Sequence, residues 1–269
     1  MARILALTLA LAFIGCGKEP GSQGSAPSPP VSTNQEGPKD PAPINPAVAG
    51  SVTGVVKLEG WLKPDVKVPL GGVAYCAACH PKGAPPEETL VLGDGQTMAN
   101  VLVLVKNGLG NRTFPVPKEP VRLDQVGCIY TPHVVAIRAN QPLLVTNGDD
   151  LLHNVKGAPA YNKHFNDGQM NRGANNTYTF PVPETGISVK CDVHPWMEAY
   201  LHVVAHPFFQ ITGKDGRYKI EGLPPGEYEI QAWHERFRDA PLVVQVTVGA
   251  KAAVTQDFTF KGGKKPDTK

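Results

Sequence analysis

Three side chains suited to soft metals lie close together in Ile187-Ser188-Val189-Lys190-Cys191-Asp192-Val193-His194-Pro195-Trp196-Met197. They are a thiol at Cys191, an imidazole at His194 and a thioether at Met197. Thiolate ligation favours copper or zinc, and the thioether favours copper. A second imidazole would complete the trigonal His₂Cys set with a weak axial Met that holds blue copper. The chain offers one at His153, within Asn147-Gly-Asp-Asp-Leu-Leu-His153-Asn154-Val155. The alternating residues Ile187 and Val189 predict a strand running into Cys191. A short loop would then bring Cys191, His194 and Met197 to one end of a β-sandwich, where a distant loop adds His153. Cys-x-x-His-x-x-Met alone also fits a structural cysteine beside a surface histidine and a core methionine. The upstream His-Asn-Val weighs against that reading.

A second motif competes for attention. Cys76-Ala-Ala-Cys79-His80 has the spacing that attaches c-type haem, with thioethers at both cysteines and His80 as axial ligand. Its flanks read as strands and loops, without the helices that small haem domains use. The other reading is a disulfide from Cys76 or Cys79 to Cys128.

The elements that must position these residues are β. The chain has 269 residues, 28 Gly and 27 Pro, enough for one large or two modest domains. A formal net charge of +2 gives no reason to expect nucleic acid as a partner. Strands are expected at 52–58, 89–92, 101–105, 121–123, 127–130, 133–137, 143–145, 177–180, 187–190, 200–204, 218–220, 228–233, 242–248 and 258–260. No amphipathic helix is expected. The interval 156–176 reads as a long loop. His133, His164, His202, His206 and His234 are each expected at the surface or in a hydrogen bond rather than in a second metal site.

The N-terminus reads as targeting. Met1-Ala2-Arg3 is followed by an apolar run from Ile4 to Ile14, too short to span a bilayer. Phe13-Ile14-Gly15-Cys16 resembles a bacterial lipobox, with Phe13 in place of the usual leucine. That resemblance implies a signal peptide at 1–15, lipidation of Cys16, and an exported protein anchored in the periplasm or cell envelope, at the outer membrane. Residues 16–49 are Pro/Gly/Ser-rich and read as a disordered tether. Residues 263–269 read as a solvated tail. With Cys16 lipidated and Cys191 on metal, three of the five cysteines remain, so one disulfide leaves one free thiol.

Cys191 to Met197 is similar to the short ligand loop of the amicyanin branch of the cupredoxins. Asn147 to Val155 resembles their segment carrying the first histidine. The resemblance covers about residues 121–205, assigned to a cupredoxin domain at 120–206. It implies a type 1 copper site with His153, Cys191 and His194 equatorial and Met197 axial. Asn154 would hydrogen-bond across to the cysteine loop. Pro195 and Trp196 would rim an exposed His194, where partners dock and electrons leave. Gly213-Lys-Asp-Gly216-Arg-Tyr218-Lys-Ile220 and Leu223-Pro-Pro-Gly226-Glu-Tyr228 resemble the carboxypeptidase regulatory-like β-sandwich. Its parts are expected at 50–115 and 207–262, with the cupredoxin inserted; a tandem order is the alternative. The pairing resembles methylamine-utilisation-like proteins. The fold expected is thus all-β, a Greek-key cupredoxin sandwich plus a second small β-sandwich.

The function implied is an electron carrier, not an enzyme, with a cytochrome c or a dehydrogenase as redox partner. The alternative is an envelope binding module that stores copper or uses it structurally. A further alternative is a two-centre protein with haem at Cys76, Cys79 and His80. Carbohydrate binding by the second sandwich is left open.

Overall fold

The computed structural model describes residues 44–266. The signal-peptide reading of 1–15, Cys16, most of the 16–49 tether and the end of the tail lie outside the described residues. The described chain is all-β apart from short helical turns.

One sandwich is built from the two ends of the described chain. Gly50–Glu59 pairs antiparallel with Arg217–Leu223 on one side, and parallel with Ala253–Thr255 and Phe258–Lys261 on the other. The facing sheet runs Phe209–Ile211, Leu102–Asn107, Gly226–Trp233, Leu242–Val248. Val52, Val56, Val103, Val105, Ile220, Ile230 and Phe260 fill the space between them. Glycine stands inside Gly50–Glu59 at Gly54 for a steric reason: the Gln256 carbonyl oxygen lies 1.9 Å from where a Cβ would sit.

The other sandwich is built from the middle of the chain. One sheet runs Tyr130–Thr131, Val121–Gln125, Leu143–Asn147, Asn175–Tyr178. Its partner runs Val134–Arg138, Glu198–Val204, Glu184–Lys190, His153–Gly157, Phe165–Gln169. Leu123, Ile137, Val145, Val155, Val189 and Leu201 form its core.

The two sandwiches meet through outward faces. Along Leu102–Asn107, Val103 and Val105 point into the first core, whereas Leu102 and Leu104 pack with Val204. Along Glu198–Val204, Ala199, Leu201 and Val203 point into the second core, whereas Tyr200 packs with Val134 and Trp233. A strand buried on both faces reads as an unbroken apolar run, which is why Val101–Val105 shows no alternation.

Four local expectations fail. The strand expected at 127–130 is a bend through Ile129, with Gly127 at φ +66° and Cys128 at φ +60°, and only Tyr130 enters a strand. Residues 89–92 form no strand; Leu92 makes only an isolated bridge to Met98. The 156–176 interval holds the edge strand Phe165–Gln169, whose polar residues conceal its pairing with His153–Gly157. A five-residue helix, Ala74–Ala78, stands where none was expected. Val68, Leu70 and Cys76 around it pack into the core of the second sandwich, not the first.

Candidate metal centre

The edges of two strands and one loop deliver the candidate ligand set. His153 opens His153–Gly157, next to Glu184–Lys190, which ends just before Cys191. The loop after Cys191 is closed by two backbone hydrogen bonds: the Met197 N–H donates to the His194 carbonyl (2.9 Å), and the Cys191 N–H to the Met197 carbonyl (3.3 Å). This tight turn carries His194 back beneath the sheet end. His153, Cys191, His194 and Met197 are all buried, at 0–2% exposure.

The donors converge. His153 Nδ1 lies 3.0 Å from His194 Nδ1, and Cys191 Sγ lies 3.8 Å from His194 Nδ1. One donor atom from each of the three residues falls within 4.8 Å of the others. The other nitrogen of His153 is committed. Nε2 is 2.9 Å from Asp149 Oδ2, and an ionised carboxylate can only accept, so Nε2 carries the proton and Nδ1 presents a lone pair. The lone pair of His153 Nδ1 thus faces His194 Nδ1 beside a thiol sulfur, a donor arrangement that fits one soft cation.

Asn154 ties the two ligand segments together. Its N–H donates to Cys191 Sγ (3.4 Å), and its side-chain oxygen accepts the Asp192 N–H (2.6 Å). Such outer contacts hold ligands in position.

The charges are tuned accordingly. Burial alone would push the Cys191 thiol up, but bonds from His153 and from the N–H groups of Asn154, His194 and Val193 bring it below the usual thiol range. Burial would push His153 down; the Asp149 carboxylate and Cys191 outweigh this and raise it. Burial, with His153 beside it, lowers His194.

Asp149 joins the candidate site without having been singled out in the sequence. It is buried, and it accepts the N–H groups of Gly127 and Cys128 (2.8 Å each) as well as His153 Nε2. Burial opposes its ionisation, yet these bonds hold its pKa below the usual carboxylate value. A signal was present. Asp149 continues the inward alternation Leu143, Val145, Asn147, whereas its neighbour Asp150 is exposed.

Two expectations are corrected here. His194 is not an exposed exit; it is 1% exposed. Cys76 and Cys128 form a disulfide, and their sulfurs and a His194 ring nitrogen lie within 4.8 Å of one another. Trp196 also covers His194, with ring centroids 5.2 Å apart, and its indole N–H donates to the Cys128 carbonyl (2.9 Å). Pro195 is exposed. The haem reading fails for a chemical reason: Cys76 is committed to Cys128 and has no thiol to form a thioether. His80 Nε2 donates to the Gly127 carbonyl (2.8 Å), and Cys79 is a free, exposed thiol. The remaining histidines form no second site. His133 pairs with Glu235, and His206 Nε2 donates to the Val105 carbonyl (2.7 Å). His202 and His234 are buried and hydrogen-bonded, Nδ1 accepting the Gly186 N–H (3.1 Å) and the Arg236 N–H (3.2 Å), while Nε2 of each has no partner.

No protein-family model matches the chain, and no curated protein matches it. Solved structures do. A copper-containing nitrite reductase from Thermus scotoductus SA-01 is 21% identical over 37% of this chain and 25% of its own, with a TM-score of 0.31. A purple cupredoxin from Nitrosopumilus maritimus is 21% identical over 31% of this chain and 98% of its own (TM-score 0.27). Amicyanin from Paracoccus versutus is 21% identical over 38% of this chain and 97% of its own (TM-score 0.29).

Proposed function

We propose that this chain holds one copper ion through His153 Nδ1, His194 Nδ1 and Cys191 Sγ, with Met197 as a weak fourth ligand, and serves as a one-electron carrier. The carrying observation is the convergence of the two Nδ1 atoms and the thiol in a buried site, with Asp149 fixing the His153 tautomer. Copper supplies the Cu(II)/Cu(I) couple when bound. The chain's own groups do the rest. The lowered Cys191 pKa makes the thiolate available, Asn154 and Asp149 hold the ligand segments, and four protein ligands leave little room for a substrate. With His194 covered, Trp196 and the exposed Pro195 offer the route for an electron to a partner such as a cytochrome c or a dehydrogenase. The internal disulfide suits an exported protein, tethered to the envelope through Cys16.

Copper-loaded full-length chain should show an intense thiolate-to-Cu(II) band in the visible, lost on reduction. Cys191→Ser should lack it. A colourless Cu(II) form, or an unchanged Cys191→Ser spectrum, refutes electron transfer through this site and favours a stored or structural ion.

A further inference from the structure

A recess of about 220 Å³ opens beside the loop that follows Cys191. Ile129, Tyr130, Pro195, Trp196 and Met197 line it, together with His133 and three carboxylates, Glu87, Glu88 and Glu198. No lysine or arginine lines it. Small-molecule sites run to about 300–1,000 Å³, so this recess suits an inserted side chain better than an organic cofactor.

Its charge is negative. Glu198 is shared with Lys190 (3.3 Å), but Glu87 and Glu88 have no ion-pair partner among the described residues. His133 senses the same field. Burial would push its pKa down; its bond to Glu235, with the carboxylates of Glu88 and Glu198 nearby, raises it instead. A cation entering here meets unpaired carboxylates and an indole, and both attract it.

Tyr130 ties this recess to the proposed thiolate. Its hydroxyl donates one shared hydrogen to the carbonyls of Asn154 (3.0 Å) and Lys190 (3.1 Å). Lys190 precedes Cys191 in the chain, and the Asn154 N–H donates to Cys191 Sγ (3.4 Å). Electronic coupling decays less steeply along covalent and hydrogen bonds than across a gap. The phenol therefore stands at the end of two bonded routes from the sulfur, and its ring lines the recess.

We propose that a basic redox protein docks here, placing a lysine or arginine side chain in the recess beside Glu87, Glu88 and Trp196, and that Tyr130 couples its oxidised centre to Cys191. The partner's chemistry rests on the copper reading above. One electron passes to that centre and leaves Cu(II) behind, with no bond made or broken. The docking itself needs no metal.

The test titrates a lysine-rich cytochrome c, and the same cytochrome with its lysines acetylated, into the metal-free full chain by calorimetry at low salt. The native cytochrome should bind and the acetylated one should not. Glu87→Gln/Glu88→Gln should weaken binding about tenfold, and 1 M salt, where the Debye length is about 3 Å, should abolish it. In the copper-loaded chain, stopped-flow oxidation by this cytochrome is compared with oxidation by hexacyanoferrate(III), an anion that the recess repels. Tyr130→Phe should leave cytochrome binding unchanged and slow its reaction severalfold relative to hexacyanoferrate(III); an altered reduction potential would move both reactions alike. Equal binding of the two cytochromes, binding unmoved by the paired Glu substitutions, or both reactions slowed alike in Tyr130→Phe overturns this inference alone. A loaded chain without the thiolate-to-Cu(II) band overturns the proposed function and this inference with it.

Discussion

Lowering the pH from 7 to 5 should weaken the contact between the sandwiches through one residue, His202. It lies on Glu198–Val204, fully buried, with its ring edge-on to Trp233 at a 4.6 Å centroid distance. Nδ1 accepts the Gly186 N–H at 3.1 Å, and Nε2 has no partner. Burial pushes its pKa down to about 3, against 6.5 in the unfolded chain. The unfolded state therefore binds a proton that the folded state refuses between those values. Stability from this group is complete above pH ~6.5 and falls as pH drops toward ~3. At pH 5 the gap amounts to about 2 kcal/mol. The His133–Glu235 pair acts the other way for His133, whose pKa is raised, so the total slope is not diagnostic. The comparison with His202→Asn is, because the amide oxygen can still accept the Gly186 N–H but does not titrate. Urea unfolding of metal-free, disulfide-intact protein at the two pH values should show wild type losing about 2 kcal/mol more than the variant. Equal losses would refute a neutral, buried His202 between the sandwiches.

Asp149→Asn offers one acceptor oxygen where a carboxylate takes three donors. Copper affinity, read by chelator competition, should fall about 10–100-fold, and metal-free stability by about 1–3 kcal/mol. Removing the disulfide as Cys76→Ser/Cys128→Ser opens a loop with a sequence separation of 52. The chain-entropy estimate for that length is about 4 kcal/mol, measurable as a lower denaturation midpoint. The same double variant loosens the disulfide side of the cover over His194 while Trp196 stays, so its copper should exchange electrons faster with a small external reductant in stopped-flow measurements.

The ligand residues were legible because their chemistry is dense in sequence: Cys191, His194 and Met197 share one loop, and period-two alternation at Ile187 and Val189 marks the strand that delivers it. Gly226–Trp233 was legible for the same reason, and Leu102–Asn107 from its unbroken apolar run. Phe165–Gln169 was not, because an edge strand of Phe-Asn-Asp-Gly-Gln carries too few apolar residues to show a period. Trp196 was legible as a neighbour of His194, but the disulfide side of its cover was not. That side comes from Ala74–Ala78, remote in sequence and too short for helical periodicity, and only the fold brings Cys76 to Cys128 and both to His194. Cys76-Ala-Ala-Cys79-His80 showed that sulfur chemistry was present, but spacing alone could not say which cysteine was bonded and which free.

The most direct test of the central claim is X-ray absorption at the copper edge of the loaded full-length chain, with His153→Ala and Cys191→Ser beside it. The expected shell is one sulfur at short distance and two imidazole nitrogens, losing one imidazole in His153→Ala and the short sulfur in Cys191→Ser. A shell of oxygen and nitrogen alone, or one unchanged by both substitutions, would contradict copper at this site.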